Sequence, residues 1–278
     1  MTACSDAPAE VHSAHRARLR WWREALLVIG FYMVYSWIRN QLGSASVSAD
    51  LAFDNAELTI DIENAMGLYI EPDVQSWFVD LGWFLRFWNI FYGTMHFAVT
   101  AFVMVYLYRR HPAHYPRWRT IGLATTALAL IGFATFPLMP PRLLGDCGIY
   151  GGCVPSPFVD TIEVHGGWVS LSSGAMEAVS NQYAAMPSLH FAWAFWCFLA
   201  LAPLLRSRLA RWALGLYPWL TLFAIVVTAN HYWIDAVGGA LVLAGGYVIG
   251  DRIERHAAAR YARRDGADVD RGPAQPAP

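Results

Sequence analysis

Six apolar stretches, at residues 24–42, 84–108, 120–139, 189–205, 212–229 and 234–250, set the strongest limit on how this chain can fold. A helix needs about 20 mostly apolar residues to cross the hydrocarbon core of a bilayer. Inside that core each backbone polar group must find its partner within the protein, which leaves helices as the spanning element for such runs. The expectation is an all-α polytopic membrane protein, a six-transmembrane-helix bundle. With 56% hydrophobic and 15% charged residues and a net charge of −1, little room remains for a soluble domain, and no nucleic-acid partner is expected.

The basic residues orient that bundle. The chain has no lysine, and all but three of its 20 arginines fall on alternate connections: Arg16 to Arg23, Arg109 to Arg119, Arg206 to Arg211 and Arg252 to Arg271. The positive-inside rule makes those connections cytoplasmic. The implied molecule is a multi-pass plasma-membrane protein with both termini inside. It divides into a basic tail (1–23), a membrane domain (24–250) and a polar tail (251–278). The exceptions, Arg39, Arg86 and Arg142, stand at or near outer ends. An arginine placed against the topological bias is a candidate for function.

Between 43 and 83 there is no basic residue, while Asp50, Asp54, Glu57 and Asp61 recur at helical steps beside Leu51, Leu58, Ile62, Met66 and Tyr69. This amphipathic pattern fits either an extracytoplasmic helix lying in the interface or a packed outer cap. Glu63 and Glu71 fall off the acidic stripe. The small residues Gly43 to Ala49 also resemble a signal-peptidase site, a rival reading that would remove the first span. Cys147 and Cys153 share one outer loop, where a disulfide and two free thiols are both open readings.

The polar residues of the outer ends carry the chemistry. His231 and Asp235 stand four apart, a spacing that on a helix stacks them on one face. A carboxylate there fixes the imidazole tautomer and strengthens the other ring nitrogen as a nucleophile or base. His190 opens the fourth apolar run after Met186-Pro187-Ser188, where free helix-start amides attract an anion. Arg142 is pinned just outside the third span by Pro137, Pro140 and Pro141. Arg86, Asn89, Tyr92 and His96 form a polar face on the second span, which must look into protein or a water-filled cavity. Each histidine alone has a structural reading as a hydrogen-bonded helix-end residue, and Asp235 and Ser188 as caps.

Pro187-Ser188-Leu189-His190 resembles the Pro-Ser-x-His motif of the type 2 phosphatidic acid phosphatase superfamily, and His231-x3-Asp235 its last motif. The His-Tyr-x2-Asp form, with Tyr92 and His96, is more similar to the inositol phosphorylceramide synthase and sphingomyelin synthase branch. The resemblance spans about residues 84–250. It implies His231 as nucleophile, Asp235 orienting it, His190 as acid and base, and Arg142 and Ser188 binding phosphate, with Tyr92, His96 and Arg86 around them. It implies no cofactor and no metal. The partners it implies are a membrane lipid phosphate and a small alcohol, a lipid or water as acceptor. The phosphatase branch has Lys-x6-Arg-Pro and Ser-Arg-x5-His, whereas Thr135, Leu143, Ala224 and Ile225 occupy the diverging positions here. A non-enzymatic transporter or lipid-binding protein is the competing expectation, and the residues leave the oligomeric state open.

Overall fold

The computed structural model describes residues 20–41, 46–167 and 181–270. They form nine α-helices: α1 (Trp21–Gln41), α2 (Ala49–Ala65), α3 (Glu71–Ser76), α4 (Gly82–Arg110), α5 (Tyr115–Thr135), α6 (Thr161–His165), α7 (Leu189–Leu201), α8 (Arg208–Val227) and α9 (Trp233–Asp270). Among these residues the β pairing is a single isolated bridge between Leu138 and Ala184. The fold is therefore all-helical, as the apolar runs require.

The expected count of six spans is met only in part. Three helices are long and apolar enough to cross a membrane: α4, α8 and the Trp233–Ala257 portion of α9. The apolar segment Leu189–Leu204, containing α7, is shorter. Helices α1 and α5 each have 21 residues, but Arg23, Glu24 and Arg39 in α1 and Arg117 and Arg119 in α5 put charge at their ends. The last helix also runs past the expected boundary at 250. Asp251 bonds Arg255 one turn on (2.6 Å) and Arg117 of α5 (2.7 Å), so polar pairing continues the helix where apolar packing stops.

Short α7 is the hub, packed against α4, α5, α8 and α9. Ala192, Ala194, Trp196, Cys197 and Ala200 are buried along it, and Trp196 donates its indole N–H to the Trp118 carbonyl at 3.0 Å. Helix α9 approaches closely because it carries glycine where neighbouring backbones pass. A Cβ at Gly239 would collide with the Ser188 carbonyl, and one at Gly246 with Thr125. Small residues at such contacts let helices meet without a side chain between them.

The two ends of the bundle differ in chemistry. At one end Arg119 pairs with Glu24 of α1 and Glu254 of α9. At the other, the loop after α5 meets α2: the Met139 amide donates to the Ala52 carbonyl (3.1 Å) and Asn55 donates to the Pro137 carbonyl (2.8 Å). Ala52, Ala56, Thr59 and Glu63 are the buried face of α2, while Leu51, Leu58, Ile62 and Met66 stay exposed. Thus the helix packs through its small residues and presents its large apolar ones outward. Cys147 and Cys153 are bridged in the same end.

Gly239→Ala is expected to lower stability by about 1–3 kcal/mol, the usual cost of forcing volume into a packed contact. Gly93→Ala, where an added Cβ meets nothing within 4 Å, should leave stability unchanged or raise it. Thermal unfolding of the two variants in detergent checks the contrast.

Candidate active site

The turn between α8 and α9 is shaped by its backbone before any side chain acts. Thr228 ends α8, and Ala229 adopts a left-handed conformation at φ 53°, unusual for a residue with a Cβ. The fold holds it there: Arg142 N–H donates to the Ala229 carbonyl (2.9 Å), and the amides of Asn230 and His231 both donate to the Ile225 carbonyl at 3.1 Å. Asn230 adds a side-chain bond to the Thr228 hydroxyl at 2.9 Å.

His231 consequently lies just before α9 rather than on it, which corrects the expectation that helical stacking joins it to Asp235. The contact forms nonetheless, His231 Nδ1 to Asp235 Oδ2 at 3.1 Å, because Asp235 reaches back over the helix start. The same oxygen accepts the Tyr232 amide at 3.1 Å. This is the backward half of a capping box, with the imidazole as a second donor. Asp235 thus caps the helix and orients the histidine at once. With Nδ1–H donated to the carboxylate, Nε2 keeps its lone pair.

His190 arrives from α7. Ser188 caps that helix, its hydroxyl accepting the Phe191 amide, and its own amide donates to the Asp235 carbonyl at 2.9 Å. Ser188 is completely buried, so its hydroxyl serves the helix start in this structure. The clamp sets the His190 and His231 rings 5.5 Å apart between centroids. Tyr92 stacks on His190 at 4.2 Å, and His96 meets the same ring at 4.2 Å. The polar face of α4 therefore looks into the histidine pair. Arg86 is exposed, two turns away from these ring contacts.

Arg142 is tied to the turn before His231 by its backbone amide, and much of its charge is already answered. Nη1 donates to Asp160 (2.7 Å) and Nη2 to Gln182 (2.8 Å), while Nε is buried with no partner among the described residues. Asp160 in turn caps α6 through the Ile162 and Glu163 amides. Asn89 secures that element by donating to the Thr161 and Gly166 carbonyls at 2.8 and 2.9 Å.

Two carboxylates without an expected role complete the start of α9. Glu71 accepts the Trp233 amide at 2.8 Å, and Glu63 accepts the Ile234 amide at 3.2 Å. With Asp235 on Tyr232, three successive amides each meet an acidic side chain. Burial, and then the neighbouring Glu71 charge, push the Glu63 carboxyl up to about 9. Burial also raises Glu71. A sequence signal existed: Glu63 continues the small-residue face Ala52, Ala56, Thr59 at helical steps.

A family model described as the PAP2 superfamily matches residues 58–249. The chain belongs to the PAP2 superfamily. The matched region begins within α2, so it takes in both Glu63 and Glu71 as well as every histidine of the cluster. Membership suggests lipid phosphatase-type activity and, with the apolar helices, a membrane protein. No curated protein and no solved structure gives a significant match.

A carboxyl raised on folding binds its extra proton only in the folded state. Its stabilising effect is full below the ordinary 4.5 and is lost as pH rises toward about 9. Glu63→Gln keeps an acceptor for the Ile234 amide and has no proton to lose. Its unfolding temperature should therefore fall less than the wild type's between pH 7 and pH 9. Parallel slopes for the two proteins would exclude a Glu63 carboxyl raised by folding.

Proposed function

We propose that this protein is a membrane-integral enzyme that cleaves a lipid phosphate ester through a phosphohistidine on His231. The observation that carries the proposal is the pair of rings 5.5 Å apart, one of them tied through Nδ1 to a buried carboxylate. In the first displacement His231 Nε2 forms a bond to phosphorus, the ester P–O bond breaks, and His190 gives its proton to the leaving oxygen. In the second, His190 takes a proton from an acceptor hydroxyl, whose oxygen replaces His231 on phosphorus. Dividing one hard substitution into two easier ones is the gain of covalent catalysis.

Asp235 stabilises the imidazole through both steps, and Arg142 Nε offers a donor to the phosphoryl oxygens. The acceptor is water or an alcohol. The inositol phosphorylceramide synthase-like branch is favoured by the His231-Tyr232-x2-Asp235 form and by Thr135 and Ile225 at positions where the phosphatase motifs carry cations. In the membrane, α1, α4, α5, α7, α8 and α9 are six spans with both termini cytoplasmic. Three features support that arrangement: the arginine distribution, the Arg119, Glu24 and Glu254 cluster at the end remote from the histidines, and a disulfide at the histidine end. Disulfides persist in oxidising compartments, which supports a site on the extracytoplasmic side.

Purified protein in detergent, given phosphatidate, isoprenoid diphosphate or phosphatidylinositol with and without an alcohol, should release phosphate or form the transferred product. Acid quenching after labelled substrate should leave label on His231. His231→Ala should lose at least about 10³-fold in turnover and His190→Ala about 10²–10⁴-fold. A His231→Ala protein with wild-type turnover would end the proposal.

A further inference from the structure

We propose that Arg39, from the last turn of α1, is a phosphate-binding cation of this site; the proposal rests on the reading of the histidine pair as a phosphoryl-transfer centre. Helix α1 lies wholly outside the family-matched region, 58–249, so the residue is an addition to the common framework. Its position is nonetheless well defined. One turn earlier, Tyr35 is buried in a cluster with Ala129 and Phe133 of α5, against which Leu189, the neighbour of His190, also packs. Tyr32 meets Phe97 of α4 and Trp193 of α7 edge-on or tilted, at 6.1 and 6.4 Å. These two rings also contact His96. The end of α1 is thereby laid beside the histidines.

The guanidinium lies within electrostatic reach of Tyr92, His96 and His190. Its backbone carbonyl accepts from Asn181 Nδ2 at 3.2 Å, and the next residue, Gln182, holds Arg142. The two arginines are so linked through one dipeptide. Their charges are handled differently. Arg142 faces the Asp160 carboxylate at 2.7 Å. Arg39 meets the amide oxygen of Asn40, at 3.3 Å, and the Tyr35 hydroxyl, and no carboxylate among the described residues. Its Nε is buried and has no acceptor among the described residues.

A buried donor with no partner is costly and rare in folded proteins, and a cation beside imidazoles gains nothing from them when they are protonated. A phosphate ester held at the histidine pair within reach of Arg39 removes both penalties: it accepts from the fork of donors and compensates the positive charge. The resemblance to the phosphatase motifs implies further cations at this site. Thr135 is exposed and hydrogen-bonded to its own helix, and Ile225 is fully buried, so neither position supplies the cation that the phosphatase motifs carry there. Arg39 restores one positive charge from a different direction.

Orthovanadate, a mimic of five-coordinate phosphorus, is the probe. Its affinity for detergent-purified wild type, Arg39→Gln, Arg39→Met, Arg39→Lys and Arg86→Gln is measured by thermal shift. KM and kcat for the lipid phosphate that wild type turns over are measured in parallel. Both neutral Arg39 variants should bind vanadate about 10–100-fold more weakly, with KM raised, and Arg39→Lys should recover part of the loss. Arg86→Gln, which removes an exposed arginine near the same end, should match wild type. Two neutral side chains of different shape, compared at equal unfolding temperature without vanadate, separate loss of the cation from loss of fold. Folded Arg39→Gln or Arg39→Met with wild-type vanadate affinity would overturn the assignment while leaving the phosphoryl-transfer reading intact. Wild type that neither binds vanadate nor releases phosphate would overturn both.

Discussion

Three acidic side chains on three consecutive amides at the start of α9 are the constraint on which the candidate site depends. A helix start leaves its first amides unpaired and carries a partial positive charge. Here the residues before α9 supply no side-chain acceptor, since Tyr232 occupies the capping position. Asp235 answers one amide from within the helix, and Glu71 and Glu63 answer the next two from α3 and α2. The oxygen that caps also receives the His231 ring. Any shift of α2 or α3 relative to α9 therefore changes the footing of the imidazole.

The second histidine is positioned by closeness of backbones. The Ser188 amide reaches the Asp235 carbonyl, and Gly239 leaves space for the Ser188 carbonyl on the same face. Helix α7 is short, yet four helices surround it, so its first turn has little freedom to move. His190 inherits that rigidity, and Tyr92 closes over its ring. Preorganisation of this kind costs nothing at the moment of reaction, which is where electrostatic catalysis gains most.

Charge is distributed less evenly than the motifs suggest. Arg142 shares its guanidinium with Asp160 and Gln182, residues in the long connection between α5 and α7 that no motif marks. Arg39 comes from a helix beyond the matched region and has no counter-ion among the described residues. The polar network around Arg142, running through Asp160 and Thr161 to Asn89, fixes one arginine at the expense of its net charge. The other keeps its charge and gives up part of its pairing.

The sequence by itself determined the all-helical class, the place of each apolar run, and the joining of His231 to Asp235, because these depend on residue type and short spacing. It also located His190, Tyr92 and His96 as polar residues in apolar runs, where water is absent and a polar group needs a reason. It misjudged the means of the His231 contact, since the four-residue spacing serves a helix start as well as a helix face. Only the tertiary structure decided the contacts of Glu63, Glu71 and Asp160. Each acts on a partner far along the chain, and periodicity reports which face of a helix is special without naming what it meets. The bridge between Cys147 and Cys153, left open by composition, was likewise settled by folding, which brings the two thiols together.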